Sequence, residues 1–308
     1  MSIRYIAGFV SAFYNPLQVP NAPTIGTATS ASSTSVSVTF TAPSNVGGGA
    51  ITGYIATARR TSDGTTISAT GSSSPIIVTG LTTSVAYTIT VVAVNSFGPS
   101  ASSVASNSVT PIPAIGEAYG GGYYAGQIST AGNGIADFNL VVGPIASAYN
   151  SSLRWKITPG STSGTSSVID GPTNSSNMND ASHPAAQFCE GLTIGGFSDW
   201  YMPAVNELEI CYYNLKPTAA TNNTSSGTNT NAVPSRGSNY TGGTPAQTSA
   251  AAFQSPSGAE NMAGGSYWAS TQSAASYAWY QRFSDGFQNP NGYKTNLIRV
   301  RAVRRVAV

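Results

Sequence analysis

"GFSDWYMPAVNELEICYYNL" (residues 196–215) is the densest stretch of the chain, and its reading decides the fold. It gathers Asp199, Glu207, Glu209, Trp200, several tyrosines and one of the two cysteines, amid sequence that is mostly Ser, Thr, Gly and Asn. Pro203 suits the first turn of a helix. Val205, Leu208, Cys211 or Tyr212, and Leu215 fall on one stripe, and Pro217 ends the run. Asp199, in "GFSDW", reads as a turn residue bonding nearby backbone donors. Glu207 falls in the first helical turns, where the helix dipole favours an acid. Carboxylates about 5–10 Å apart would also suit glycoside hydrolysis, so a glycan depolymerase using Asp199 with Glu207 or Glu209 is the enzymatic alternative. Each carboxylate has a structural reason to be there, so the stretch reads as a fold signature and no catalytic residue is assigned.

The rest of the composition narrows the chemistry. At 308 residues the chain is long enough for two ordinary domains. Charged residues make up 8%, against roughly 25% in an average soluble domain. A hydrophobic content of 40% still supports packed cores. The surface is therefore hydroxyl, amide and glycine, which suits a β-rich secreted or virion-type protein. A net charge of +2 gives no general attraction to nucleic acid or anionic membrane. Cys189 and Cys211 make no disulfide framework, and His183 stands alone, so no metal or cofactor is expected. Both cysteines sit on apolar helical stripes and read as packed thiols.

The opening "MSIRYIAGFVSAFYN" is apolar and too short to span a bilayer. It is a poor signal peptide, with only Arg4 as an n-region and no convincing cleavage site. The preferred reading is an anchoring arm and linker over 1–20, hiding its apolar face against a neighbouring protein. Short alternating strands follow, among them "TSVSVTFTAP", "ITGYIATARR", "PIIVTGL", "AYTITVVAVNSFGPS" and "SNSVTP", with turn signals about every 8–12 residues. Val36, Val38 and Phe40 alternate inward; on a later strand Ile89, Val91 and Ala93 share one face, and Thr90, Val92 and Val94 the other. The entry "PNAPTIG", the run "GLTTSVAYTITVVAVNSFGPS" and the exit "SNSVTPIP" make residues 21–113 resemble a fibronectin type III domain. Tyr87 sits where that family places its tyrosine corner, and Phe40 takes the usual tryptophan slot. No RGD-type loop is present, so this domain is expected to be a rigid spacer.

Residues 114–308 change character. The glycine run in "YGGGYYAG" lacks every phosphate-cradle companion and reads as a Gly/Tyr-rich strand pair. "DASHPAAQFCEGL" predicts a helix with Asp180 or Ser182 as cap and Pro184 in its first turn. "DFNLVVGPIASAY" and "SLRWKIT" read as strands. Residues 218–260 show no periodicity, so this Thr/Asn/Ser/Gly loop is functional or mobile. The ordered set "YGGGYYAG", "GGFSDWYMPAVNEL", "PAQTSAAAF", "YWASTQ" and "AWYQRFSDGFQ…IRVRAVRRV" is similar to C-type lectin-like domains of bacterial surface and phage tail proteins, which share the fold of formylglycine-generating enzyme. The resemblance implies two helices flanking a small twisted antiparallel sheet, with long loops over a ligand-binding face. The fold class expected is mainly β in two domains, an Ig-like β-sandwich and an α+β C-type lectin-like domain.

Trp200, Trp268 and Trp279 read as core. With Trp279, Gln281 and Phe283 inward on one strand, Tyr280 and Arg282 point outward beside Asp285, Phe287, Asn289, Asn291 and Tyr293. Exposed aromatics with amides suit sugar or protein recognition, so these residues are the candidate ligand-binding set. By strand parity Arg299, Arg301 and Arg305 share a face opposite Arg304, and they read as partners of scarce carboxylates or carbonyls rather than a nucleic-acid site. The function expected is a phage virion structural protein, a tail or baseplate fibre or adhesin on the particle surface. The arm contacts other virion proteins, the tip contacts a host receptor or glycan, and the assembly is a homotrimer without membrane insertion. A purely structural capsid decoration or head fibre is the alternative.

Overall fold

A computed structural model describes residues 17–262 and 264–308. The chain divides into two compact units, the first ending at Ala114 and the second spanning Ile115–Val308. Residues 1–16 of the expected arm lie outside the described residues. Gln18, at its end, is held by the first unit: its N–H donates to the Gly47 carbonyl and its own carbonyl accepts from Asn95 Nδ2, both at 2.9 Å.

The first unit is a β-sandwich. Its strands are β1 (Thr24–Ser32), β2 (Ser35–Thr41), β3 (Gly53–Arg60), β4 (Thr66–Gly71), β5 (Ile76–Val78), β6 (Tyr87–Asn95) and β7 (Gly98–Pro99). One sheet runs β1-β2-β5 and the other β4-β3-β6-β7. Alternation on β2 and β6 buries Val36, Val38, Phe40, Ile89, Val91 and Ala93 between the sheets, each large aliphatic side chain contributing about 1.5–3 kcal/mol. The Tyr87 hydroxyl accepts from the Thr82 N–H at 3.0 Å, closing the expected corner. "SNSVTP", expected as a strand, forms only a single bridge between Val109 and Tyr87. The edge of β6 is instead satisfied by serines spaced three apart. Ser100, Ser103 and Ser106 donate backbone N–H groups to Ala93, Val91 and Ile89 carbonyls, while their hydroxyls accept from the same residues' N–H groups. The residues between bow outward, leaving Val104 76% exposed.

The second unit holds β8 (Ala118–Tyr119), β9 (Gly122–Ile128), β10 (Phe138–Val142), α1 (Ile145–Ala148), β11 (Tyr149–Arg154), α2 (Gly171–Ser176), α3 (Pro184–Glu190), α4 (Val205–Leu215) and β12 (Ala232–Val233). It continues with β13 (Ser266–Ala274), β14 (Tyr277–Arg282), β15 (Gln288–Tyr293), β16 (Leu297–Arg301) and β17 (Val303–Ala307). Instead of one small sheet there are two, β12-β9-β10-β17 with β8 on β9, and β11-β16-β13-β14-β15. Pairing is antiparallel except between β13 and β16, which run parallel. Gly120 and Gly121, both at positive φ, form the two-residue turn between β8 and β9, so the glycine run is a hairpin. α3 begins after His183, whose Nδ1 meets Asp180 Oδ1 at 2.9 Å; Asp180 accepts the Ser182 N–H and caps no helical amide.

The chain crosses from the second sheet to the first at Ala302, between β16 and β17. This break overturns the strand-parity reading of the terminal arginines, since Arg301 and Arg305 belong to different sheets. α4 packs against β9 and β12 of one sheet and β13 and β14 of the other. Packed between both sheets, this helix buries Val205, Glu207, Leu208, Glu209, Ile210, Cys211, Tyr212 and Leu215, while Asn206, Tyr213 and Asn214 stay half-buried. Cys211 packs in this central core and Cys189 in a separate one; both are free, and burial raises both thiols. Trp155, Trp200 and Trp268 are fully buried, whereas Trp279, expected in the core, is only half-buried at its margin.

Candidate functional site

The carboxylates of 196–215 are joints. Glu207 sits three residues past the Ala204 N-cap, and its Oε2 accepts the Ala204 N–H at 2.8 Å. Its Oε1 accepts the Tyr201 hydroxyl at 2.5 Å and Arg305 Nε at 2.7 Å. Burial pushes the Glu207 carboxyl above its usual range, while Arg305, Tyr201 and Ala204 pull against it. Glu209, also fully buried and pushed up by burial, accepts from Asn229 Nδ2 at 2.6 Å, from the Tyr240 hydroxyl at 2.8 Å and from Arg236. Asp199 does not bond nearby backbone donors as expected. Its exposed carboxylate takes a two-pronged grip from Arg304, Nε at 2.7 Å and Nη2 at 2.9 Å. Arg301 closes on Glu260. Neither Glu207 nor Glu209 presents a carboxylate to solvent.

These joints position the long loop after α4. Asn229, Arg236 and Tyr240, all from that loop, converge on Glu209. Buried Asn222 accepts from the Tyr212 hydroxyl at 2.6 Å and donates to the Thr241 and Pro245 carbonyls at 3.1 and 2.8 Å. Lys216 Nζ donates to the Ala220 and Pro245 carbonyls. The stretch without periodicity is thus an ordered layer, held by buried amides and one carboxylate.

The predicted hairpin lies beside that layer. The Asn223 N–H donates to the Asp285 carbonyl at 2.8 Å, and the Gln288 N–H to Ser226 Oγ at 3.0 Å. Gly286, at φ +79°, turns the chain directly over Tyr212 and Tyr240, where a β-carbon would strike both rings. Arg282 is exposed, pairs with Asp285 (Nε to Oδ1 2.7 Å) and lies 5.3 Å from the Phe287 ring centre. Burial works against the Asp285 charge, but Arg282 and the Phe287 N–H hold its carboxyl below the usual range. Tyr280, expected outward, is half-buried: its ring meets Trp268 edge-on at 6.3 Å while its hydroxyl accepts from Asn289 Nδ2 at 2.9 Å. Asn289 Oδ1 accepts the Asn291 N–H at 2.8 Å. Asn291 is exposed, and Tyr293, 54% exposed, packs on Tyr277 with ring centres 4.6 Å apart. Arg282, Asn291 and Tyr293 are exposed and Phe287 and Asp285 half-buried; Arg282, Asp285 and Phe287 gather at the turn of the hairpin, whereas Tyr293, opposite Tyr277, lies at its other end.

A hollow of about 300 Å³ opens in the loop layer, lined by Tyr213, Ser235–Tyr240, Thr241 and Thr244. No residue-level signal marked these positions in the sequence, because the Ser and Thr that line it resemble those around it. Among the described residues no cluster of His, Cys, Asp and Glu could hold a metal ion.

Residues 21–109 match the fibronectin type III domain model, and residues 147–304 match the model described as the Lcl C-terminal domain. No curated protein matches the chain. Among solved structures, a crystallised stretch of titin domains is 29% identical, with 30% of this chain and 32% of that one covered and a TM-score of 0.28. The twitchin kinase region from C. elegans is 20% identical over 36% and 21% of the two chains, with a TM-score of 0.29. The FN5 domain of Drosophila Lar is 27% identical over 30% and 98%, with a TM-score of 0.26. The chain thus spans about a third of the titin stretch and about a fifth of the twitchin region.

Proposed function

The chain belongs to the Lcl C-terminal domain family through residues 147–304, and from that footing we propose that it is a virion structural protein of a phage whose second unit binds a host surface receptor or glycan. The fibronectin-like unit is the spacer, and the second unit, in this reading a C-type lectin-like tip, presents the binding face. Residues 1–20 attach it to other virion proteins on the particle exterior, as a homotrimer.

The observation that carries this reading is the division of labour among polar residues. Glu207 and Glu209 are sealed in ion pairs, while the exposed hairpin carries Arg282 beside its turn and, along the β15 edge, Asn291 and Tyr293. That edge offers stacking and adaptable hydrogen bonds without a reacting group. The test is adsorption of the fluorescently labelled full chain to host cells. Saturable adsorption that falls on Tyr293→Ala or Arg282→Ala is expected. A chain that adsorbs to no strain within the phage's host range, or one that releases sugars from the cell surface, would overturn the reading.

A further inference from the structure

The hollow beside the hairpin has a chemistry of its own. Its floor is a stacked pair, with the Arg236 guanidinium 4.0 Å from the centre of the Tyr213 ring. That guanidinium is neutralised from beneath by Glu209, so no uncompensated charge faces the opening. Its wall is fixed by Tyr240, whose hydroxyl donates to Glu209 and accepts from Gln281 Nε2 at 3.3 Å. Around the rim stand the hydroxyls of Tyr213, Ser235, Ser238 and Thr244, none with a hydrogen-bond partner among the described residues. Thr241 Oγ1 accepts the Thr244 N–H at 3.0 Å and keeps its own proton to donate.

We propose that this hollow binds a single uncharged sugar residue of a glycan. A polyol needs partners that both donate and accept, at several points around a ring, and converging free hydroxyls supply that pattern. Hydroxyls without a protein partner can exchange bonds to solvent for bonds to a sugar at little net cost. A sulfated or carboxylated ligand finds no free cation here, because Arg236 already has its carboxylate. About 300 Å³ lies at the lower end of the roughly 300–1,000 Å³ of small-molecule sites, which admits a monosaccharide. The walls are pre-formed by the Glu209 joint, so little ordering entropy is lost on binding.

The inference rests on the host-surface reading only in taking the ligand to be a host glycan. The test titrates the full chain with uncharged saccharides (glucose, galactose, N-acetylglucosamine, lactose and chitobiose) and with heparin, following the amides of residues 235–241 by NMR. One neutral saccharide is expected to saturate with a dissociation constant on the order of 1 mM, a dozen non-hydrogen atoms at ordinary efficiency. Raising the salt concentration leaves that constant nearly unchanged. Tyr213→Phe and Thr244→Val, which remove one hydroxyl each and leave the packing intact, weaken it by roughly 3- to 10-fold. Binding of heparin alone, no response to any neutral saccharide, or a response indifferent to both variants overturns the proposal. Parallel adsorption assays separate the two claims. A chain that adsorbs to cells but ignores the saccharides sinks the hollow and spares the adhesin, and the converse result does the opposite.

Discussion

Glu207→Gln is the sharpest probe of the joint between α4 and the terminal strand, because the swap keeps shape and removes only charge and one acceptor. Glu207 Oε1 accepts from Tyr201 and Arg305, and Oε2 accepts the Ala204 N–H. A glutamine places its oxygen on one side only. If it faces Arg305, its NH₂ confronts the Ala204 N–H and the helix loses its cap; if it faces Ala204, its NH₂ confronts Arg305. Either orientation sets donor against donor. In either case Arg305 loses its counter-charge, and in the second it keeps only the Ile169 carbonyl as acceptor; orphaning one member of a buried pair costs about 3–5 kcal/mol. At roughly 2–4 °C per kcal/mol for a domain of this size, the second unit's Tm drops by roughly 6–20 °C. Scanning calorimetry of the full chain reads this directly, with the first unit's transition as internal control. Adding Arg305→Met recovers part of the loss, since replacing a buried pair whole is often near neutral, and the cycle gives a coupling of about 1–3 kcal/mol. A single variant within about 1 kcal/mol of the parent would refute the reasoning. It would also return Glu207 to the list of candidate acids.

Tyr87→Phe leaves the Thr82 N–H without its acceptor, so the first unit alone loses about 1–3 kcal/mol in denaturant titration. Cys189 and Cys211, buried thiols raised by their surroundings, stay inert to a thiol reagent in the native chain and both react after unfolding; rapid native labelling of either would contradict their placement. Lys294 lies over the Trp155 ring at 4.3 Å, donates to the Gly160 and Ala275 carbonyls, and is depressed to about 8 by burial and by Lys156. A lysine depressed when folded binds fewer protons in the native state between about 8 and its ordinary value of 10.5. Its contribution to stability therefore rises with pH across that window. The Tm gap between the parent and Lys294→Met, measured from pH 7.5 to 10, should shift in that direction.

Much of the fold was legible because local chemistry and tertiary need agreed. Alternation on β2 marked its inner face and on β6 separated the two faces, Tyr87 marked its corner, and Pro203 with Pro217 bracketed α4. Where reading failed, the deciding fact was non-local. A stripe on one side of α4 gives no hint that a second sheet closes over the other, so Glu209 could not be seen as buried. Parity along 299–305 was sound only for an unbroken strand, and Ala302 carries the chain between sheets. Parity puts Tyr280 outward, but the Trp268 ring opposite it on β13 half-covers it. The spacing of Ser100, Ser103 and Ser106 was visible, yet period three matches neither strand nor helix, so it carried no reading.

The pairing of charges explains how so polar a loop holds a fixed shape. Asp199, Glu207, Glu209, Glu260 and Asp285 each close on an arginine. The loop residues then fall into two kinds. Asn222, Asn229 and Tyr240 are buried ligaments whose loss leaves unsatisfied partners in the core. Ser235, Ser238 and Thr244 are exposed side chains lining the hollow, so exchange among them alters what the surface recognises at little cost to stability. Specificity and stability are thereby carried by different residues of one loop, and Glu209 is the fixed point that allows the first to vary without the second.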